Sequence, residues 1–271
     1  MPALRALPHP VIAPHRFPQS PSKFIDSRPG PGAGYCQGMK TTGLAINPNP
    51  DNWTTPSNGR IPLPLKLAFT AFMAVLVPVY WSKYGPTNFL YFCDLALFFT
   101  LIAVWFENRL FASMAAVGII LPQLILWCGD FAAHLIGVKF TGMTDYMFDA
   151  HRSLFLRGLS FFHGWLPFLL LFLVARLGYD RRALFAWTGV AWAAMLTSYF
   201  FLPGPGAKLA NPLAPVNVDY VHGFSDTMAQ TWMPGWAWLL FLLVAFPALV
   251  VFPTHLMLQK VWGKPGGNGL T

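Results

Sequence analysis

The sequence predicts an all-α, polytopic integral membrane protein with six transmembrane helices and a disordered N-terminal tail. Of its 271 residues, 55% are hydrophobic and 10% are charged, whereas typical soluble domains carry about 25% charged residues. Apolar runs of about 20 residues recur along the chain, and each is long enough to cross roughly 30 Å of hydrocarbon. Aromatic residues gather at the ends of these runs, as is expected at membrane interfaces. Together these features predict a helical bundle in a lipid bilayer.

The two ends of the chain differ from its middle. Residues 1–62 are rich in Pro, Gly, Ser and Asn and show no apolar periodicity, which predicts a disordered basic tail. No short basic region is followed directly by an apolar core, so a cleavable signal peptide is not expected. Met39 is an alternative translation start to Met1. Residues 63–260 form the predicted transmembrane domain, and 261–271 form a flexible C-terminal tail.

Six apolar segments are predicted to span the membrane. Their expected bounds are 64–82, 86–106, 110–137, 153–177, 183–203 and 233–259. Pro122 lies two turns before Asp130 in the third segment. Because a proline removes a helical hydrogen bond and clashes with the preceding turn, we expect a kink that turns Asp130 toward the bundle.

Lysines and arginines in the short loops predict that both termini lie in the cytoplasm. In this orientation eight basic residues lie on the cytoplasmic side and four on the outer side, with Arg157 just inside the fourth segment. The cytoplasmic set is Arg60, Lys66, Arg109, Arg176, Arg181, Arg182, Lys260 and Lys264. The outer set is Lys83, Lys139, Arg152 and Lys208. The net charge of +8 is therefore interpreted as a topology signal, and no nucleic-acid partner is expected.

Ionisable residues lie at similar depth in three successive segments. Asp94, Asp130 and His163 are expected about 12, 10 and 15 Å from the outer ends of their helices. His134 follows Asp130 by four residues, which places both on one helix face. Charged groups at membrane depth are costly, so such residues indicate a functional site. We therefore predict one shared, outward-facing pocket.

Two outer loops, residues 138–152 and 204–232, are expected to cover this pocket. The loop of residues 204–232 is long for a tight helical bundle, and long ordered loops are often lids or binding loops. Its members Asn217, Tyr220 and His222 are assigned to the predicted pocket. The full polar set of this loop is Asn211, Asn217, Asp219, Tyr220, His222, Ser225, Asp226 and Gln230.

Two chemistries are consistent with these residue types. Asp94, Asp130, His134 and His163 are candidate ligands of a divalent metal such as zinc, with an open position for an activated water. The sequence has no HxxxH or HExxH motif to strengthen that hypothesis.

The second chemistry uses Cys128 as a nucleophile, His163 as its base and Asp130 as the group that orients the base. Cys128 and Asp130 are two residues apart, which is about 200° around a helix. Both therefore face one site only if the helix is locally distorted.

Non-catalytic readings stay open beside these. Polar residues inside a bundle commonly form hydrogen bonds that only fix helix packing, which would make this a structural or assembly protein. A pocket in which Asp and His exchange protons would equally serve a carrier or sensor of small solutes.

Several stretches carry a resemblance to a known family. They are YGPTNFLYFCD at 84–94, LPQLILWCGD at 121–130, FHGWLP at 162–167, RLGYDRR at 176–182, PVNVDYVHG at 215–223 and TWMP at 231–234. In these the chain resembles an uncharacterised bacterial family of multi-spanning proteins described only as membrane-associated. The resemblance covers about residues 64–260. It implies the fold and the inner (cytoplasmic) membrane as the compartment, and it implies no particular reaction.

A fainter likeness is to six-helix membrane lipid hydrolases of the androgen-induced-protein type and the related cysteine acyltransferases. Those enzymes use a membrane-embedded Thr or Cys with a His from another helix. Here Cys128 and His163 would be that pair, and the region of Asn217 and Tyr220 is similar to their late Asn-Tyr motif. This resemblance implies a lipid or acyl-ester hydrolase or acyltransferase, with membrane lipid as the partner.

Overall fold

A computed structural model describes residues 61–263. Of these residues 72% are helical and none is in a strand, which confirms the all-α fold class. The helices of this part of the chain are α1 (Leu63–Tyr84), α2 (Phe92–Phe106), α3 (Arg109–Pro122), α4 (Cys128–Leu135), α5 (Asp145–Phe148), α6 (Leu154–Ser160), α7 (Phe162–Leu177), α8 (Ala183–Phe201), α9 (Gly235–Phe246) and α10 (Phe252–Trp262). The predicted tails are 1–62 and 261–271, and all but residues 61–62 and 261–263 of them lie outside the described residues.

Five helices are long and apolar enough to cross a membrane. They are Leu63–Tyr84, Arg109–Leu135, Leu154–Leu177, Ala183–Phe201 and Gly235–Trp262. These helices correspond to the first, third, fourth, fifth and sixth predicted segments, with bounds that differ by three residues or fewer. The prediction of long apolar helices is therefore confirmed for these five segments.

The second predicted segment is divided in the structure. Pro86–Leu90 forms a 3₁₀ turn, and α2 begins only after it and has 15 residues. At 1.5 Å per residue α2 is about 22 Å long, which is shorter than the five spanning helices. The sequence predicted that Asp94 lies about two turns inside a helix. In the structure it is the third residue of α2.

Prolines explain two widened turns inside the long helices. A π-helical turn of Gln123–Trp127 follows Pro122, and a second one of Pro247–Val251 begins at Pro247. Proline leaves the carbonyl of the preceding turn without its usual donor, and a π bulge is one way in which a helix absorbs that loss. The expected irregularity at Pro122 therefore takes the form of a wider turn between α3 and α4.

The centre of the bundle is α3, which packs against α2, α7 and α8. Small residues on α3 permit this close packing, as is common between membrane helices. The tightest contact lies at Gly118, where a Cβ atom would lie 1.9 Å from the indole of Trp187. Trp187 is itself fully buried, so α3 and α8 approach each other only because position 118 has no side chain.

Three loops meet at one end of the bundle, which we call the loop end. The Asn211 side chain donates to the backbone carbonyl of Lys83 over 2.8 Å, and Arg157 donates to the carbonyl of Met147 over 3.1 Å. Lys83 at the end of α1, residues 151–156 around the start of α6 and Leu213 after α8 also line one groove, which places these three segments on the same side.

The opposite end of the bundle is fixed by ion pairs. Glu107, which follows α2, accepts hydrogen bonds from the Lys66 ammonium at 2.7 Å and from the N–H of Ile61 at 3.2 Å. α1 and α2 therefore run antiparallel between the same two ends. Asp180 accepts from the guanidinium of Arg182 at this end, and Arg109 lies 3.3 Å from its carboxylate.

Candidate functional site

The carboxylate of Asp130 binds the loop that follows its own helix. Its Oδ1 accepts hydrogen bonds from the backbone N–H groups of Thr141 and Gly142, and its Oδ2 accepts from the N–H and hydroxyl of Thr144 at 2.7 and 2.6 Å. Asp130 is 2% exposed. A carboxylate offers about four acceptor sites, so these four donors use them all. Asp130 anchors a loop, and its predicted catalytic or metal-binding role receives no support from this geometry.

His134 also faces that loop. Its ring stacks on Phe148 with centroids 3.8 Å apart, and its Nδ1 lies 3.5 Å from a carboxylate oxygen of Asp145. Asp130 and His134 therefore share a helix face, as the sequence predicted, and this face is covered by residues 141–148.

His163 is held by packing and by one backbone bond. Its ring stacks against Trp127 at 5.6 Å and Phe162 at 4.0 Å. Its Nδ1 lies 2.7 Å from the carbonyl oxygen of Ser160, and because a carbonyl oxygen only accepts, Nδ1 carries the proton. Among residues 61–263 no hydrogen bond joins Cys128 to His163, so the predicted nucleophile and base are not paired there.

The metal candidates have separate local partners. In the described part of the chain no group of three or more His, Cys, Asp or Glu side chains is arranged to hold a metal ion. Asp94, Asp130, His134 and His163 therefore do not form one coordination set in that region.

Asp94 is the predicted site residue whose carboxyl group keeps a free oxygen. It is 3% exposed, and its Oδ2 accepts a hydrogen bond of 2.9 Å from the amide of Asn88. Its Oδ1 is buried and has no hydrogen-bond partner among the described residues. Buried carboxyl oxygens are nearly always bonded, so this one requires an explanation.

A second carboxyl group reaches the same place from the loop between α8 and α9. Oδ1 of Asp219 accepts a hydrogen bond of 3.3 Å from the N–H of Phe92, the first residue of α2. Its Oδ2 is also buried and has no partner in residues 61–263. Asp94 and Asp219 thus both lie at the first turn of α2, where the positive end of the helix dipole favours negative charge.

The pKa of Asp219 depends on its burial and on its neighbours. Burial raises the pKa of Asp219 well above its usual range, the N–H of Phe92 opposes this shift, and the neighbouring carboxyl of Asp94 adds to it. A carboxyl group near another carboxyl group is harder to ionise, so burial and the position of Asp94 both favour the protonated form of Asp219. We call Asp94, Asp219 and Asn88 the carboxyl pair site.

The backbone around Asp219 is strained and is kept in place by hydrogen bonds. Asn217, Asp219 and Tyr220 all adopt positive φ angles, of 53°, 56° and 58°, and such angles in non-glycine residues cost about 1–3 kcal/mol each. The Trp238 indole donates to the carbonyl of Tyr220 over 2.9 Å. The loop is therefore fastened in a conformation that its residues do not prefer.

The side chain of Asn217 stabilises that loop through three hydrogen bonds. Its side chain donates to the carbonyls of Gly223 at 2.8 Å and Ser225 at 3.1 Å, and it accepts from the N–H of His222 at 2.9 Å. Asn217 is 1% exposed. Among the predicted pocket residues, Asn217 therefore shapes the loop, and His222 stacks on Tyr199 at 4.9 Å.

Hydroxyl groups of tyrosine and serine form two further side-chain hydrogen bonds in the bundle. Tyr80 and Ser160 are hydrogen-bonded at 2.7 Å, and the indole of Trp127 donates to the hydroxyl of Tyr146 over 3.1 Å. These hydrogen bonds join α1 to α6 and the π-helical turn before α4 to α5.

Sequence reasoning selected Asp94 and missed its two partners. Asn88 lies in a 3₁₀ turn that was predicted to be helix, and Asp219 was one polar residue among eight in a loop. The one signal for Asn88 was Pro86, which favours the start of a new helix shortly after it. No local signal distinguishes Asp219.

Comparisons with protein-family models, with curated proteins and with solved structures found no match to this chain. The two resemblances described above therefore stay predictions.

Proposed function

We propose that this chain is a six-crossing protein of the inner membrane that acts as an enzyme on a lipid or acyl ester, with Asp94 and Asp219 as its acid–base pair. The sixth crossing is the segment of the 3₁₀ turn and α2. It is supported by the bond between Lys66 and Glu107, since α1 and this segment cover the same distance between the two ends of the bundle. Six crossings place both termini on one side, and the distribution of Lys and Arg favours the cytoplasm.

The observation that carries the enzymatic proposal is the pair of buried carboxyl oxygens without partners, Oδ1 of Asp94 and Oδ2 of Asp219. A stabilising role alone would be served better by carboxylates whose acceptor sites are filled, as those of Asp130 are. Unfilled acceptor sites on two electrostatically coupled acids are suited to proton transfer, because one carboxyl is ionised and the other is protonated.

In ester hydrolysis the ionised member of the pair takes a proton from a water molecule as the water oxygen bonds to the ester carbonyl carbon. The protonated member donates a hydrogen bond to the carbonyl oxygen and then gives its proton to the leaving alkoxide when the ester C–O bond breaks. The products are one acid and one alcohol, and the pair again shares one proton. Asn88 orients Asp94 through its amide.

The test measures ester cleavage by purified protein in lipid nanodiscs with a fluorogenic phospholipid ester. Asp94→Asn and Asp219→Asn each remove one titratable group with little change in shape. We expect each variant to lose about 10²- to 10⁴-fold in rate, which is the usual contribution of a positioned acid or base.

The matched control is Asp145→Asn, which removes an exposed carboxylate at the same end of the bundle. It is expected to keep the wild-type rate. Wild-type protein that releases no more product than the two pair variants, with all proteins folded by size exclusion, would refute the enzymatic proposal.

A further inference from the structure

A separate groove opens at the loop end of α1. It has a volume of about 390 Å³, which lies within the range of about 300–1,000 Å³ of small-molecule sites. Three segments form it, namely the last turns of α1, the residues around the start of α6 and the loop after α8. Its lining residues are Val79, Ser82, Lys83, Tyr84, His151, Arg152, Ser153, Phe155, Leu156 and Leu213.

The rim of the groove is basic and rich in hydroxyl groups. Lys83 and Arg152 supply two cations, and Ser82 and Ser153 add hydroxyl groups. The guanidinium of Arg152 lies over the ring of Tyr146 at 5.5 Å, and its Nε is 3.9 Å from a carboxylate oxygen of Asp149. Both side chains of that pair are more than a third exposed, so the carboxylate is a weak competitor for Arg152.

The wall of the groove is apolar and continues onto the outer faces of the spanning helices. Phe155 and Leu154 at the start of α6 are 57% and 77% exposed, and Trp81 near the end of α1 is 58% exposed. Side chains of this kind at the end of a spanning helix mark the membrane interface. The groove thus combines cations, hydroxyl groups and an apolar surface at the level of lipid headgroups, although the hydroxyl of Ser82 already donates to the carbonyl of Val79.

We propose that this groove binds the phosphate-bearing headgroup of an anionic phospholipid, with the acyl chains along the apolar faces of α1 and α6. Arg and Lys are the common partners of phosphate groups, and basic residues beside a spanning helix attract anionic lipids. A free phosphate would use the cations and leave Val79, Phe155 and Leu156 unused. The lipid uses both parts of the groove.

This site stands apart from the carboxyl pair site and does not depend on the proposed reaction. Tyr84 lines the groove and packs edge-on against Tyr80, with ring centroids 5.1 Å apart. Tyr80 in turn is bonded to Ser160. A lipid in the groove therefore lies beside Tyr84, whose neighbour Tyr80 belongs to this hydrogen-bonded pair.

The test measures thermal unfolding of the full-length protein in a neutral detergent during titration with phosphatidylglycerol, with phosphatidylcholine or with inorganic phosphate. Native mass spectrometry counts the bound lipids. We expect phosphatidylglycerol to raise the Tm more than phosphatidylcholine and inorganic phosphate to leave it unchanged. The double variant Lys83→Gln/Arg152→Gln is expected to bind phosphatidylglycerol about tenfold or more weakly, since each nearby cation contributes about 1 kcal/mol.

The control variant Lys139→Gln/Lys208→Gln removes the same charge at the loop end but outside the groove. It is expected to bind phosphatidylglycerol as the wild type does. An equal loss of binding in this control, or an equal response to the two lipids, would overturn the proposal. Stabilisation by inorganic phosphate that matches that of the lipid would identify a free-anion site and overturn it as well.

The two proposals fail separately. Asp94→Asn is expected to keep the phosphatidylglycerol response while it loses ester cleavage. Loss of the lipid response in Asp94→Asn, with the variant folded, would show that the groove is not the lipid site.

Discussion

The backbone N–H of Phe92 donates a hydrogen bond of 3.3 Å to the carboxylate of Asp219, although 127 positions separate the two residues. This bond joins the start of α2 to the loop between α8 and α9. It brings Asp219 to the helix turn that carries Asp94, and both acids keep a buried oxygen without a partner in the described chain. The carboxyl pair site exists only because of this long-range contact.

The first prediction concerns the loop anchor Asp130. In Asp130→Asn one oxygen becomes an amide nitrogen, which cannot accept from the N–H of Thr144. Because a buried bond to a charged group contributes about 1.5–3 kcal/mol, we expect the 141–144 loop to be loosened by about that amount. Trypsin cleavage after Lys139 reports the loosening directly, and it should be faster than in the wild type.

Asp145→Asn is the matched control, because its carboxylate lies in the same loop and is exposed. It should be cleaved after Lys139 at the wild-type rate. Equal cleavage of Asp130→Asn and wild type would show that Asp130 does not anchor the loop.

The second prediction concerns the packing of α3 on α8. Gly118→Ala places a methyl group where the indole of Trp187 lies, 1.9 Å away. Overpacking of this kind costs typically about 1–3 kcal/mol, so we expect a lower Tm in detergent. Trp187→Val empties this space. In the background of Trp187→Val, Gly118→Ala should therefore lower the Tm by less than it does in the wild type.

Gly189→Ala is the control, since Gly189 lies on α8 and has open space around its Cβ position. Its Tm is expected to stay the same or rise slightly, because alanine is the better helix former. If the two glycine variants lose the same stability, the close contact of Gly118 with Trp187 is refuted.

The third prediction concerns the fastened loop. Asn217→Ala removes three side-chain hydrogen bonds and places an alanine at a φ of 53°. Asn217→Gly removes the same bonds but tolerates that φ angle. We expect both variants to lose protection of the His222 amide in hydrogen exchange, and the alanine variant to lose more. Unchanged protection in both would contradict the role assigned to Asn217.

The fourth prediction is a pH dependence of stability that originates at Asp219. Burial first, and then the carboxyl of Asp94, raise the pKa of Asp219 against the opposing N–H of Phe92. Between the unfolded pKa of about 3.9 and the raised folded value, the folded state holds a proton that the unfolded state has released. Stability from this group is therefore complete below the unfolded pKa and declines as pH rises through that window.

Asp219→Asn removes this titration, so its Tm relative to that of the wild type should increase as the pH is raised from about 4 to 8. Asp180 provides a contrast of opposite sign. The hydrogen bond from Arg182 lowers the pKa of Asp180, so its contribution is present at neutral pH and lost as the pH falls. A Tm difference for Asp219→Asn that is independent of pH would contradict the prediction.

The sequence predicted most of the helices correctly, but it did not predict which groups form hydrogen bonds with the buried acids. Five apolar segments are helices within three residues of their predicted bounds, because long apolar runs in lipid leave the backbone few alternatives to a helix. The second segment was misjudged at its start, where Pro86 opens a 3₁₀ turn. Asp130 was identified as a costly buried acid, but its four donors could not be foreseen, since three of them are backbone N–H groups of a loop.

The sequence by itself determined the all-α class, the positions of five long apolar helices and the presence of acids within apolar segments. Those properties follow from local composition and from the length of each apolar run. Only the tertiary structure decided which carboxyl group has all its acceptor sites filled and which ones keep a buried oxygen without a hydrogen-bond partner among the described residues. Asp130 accepts from the N–H groups of its own loop, whereas Asp94 bonds Asn88 and Asp219 bonds the N–H of Phe92, both at the start of α2. Such pairings depend on loops that return from distant positions in the chain, and no local pattern encodes them.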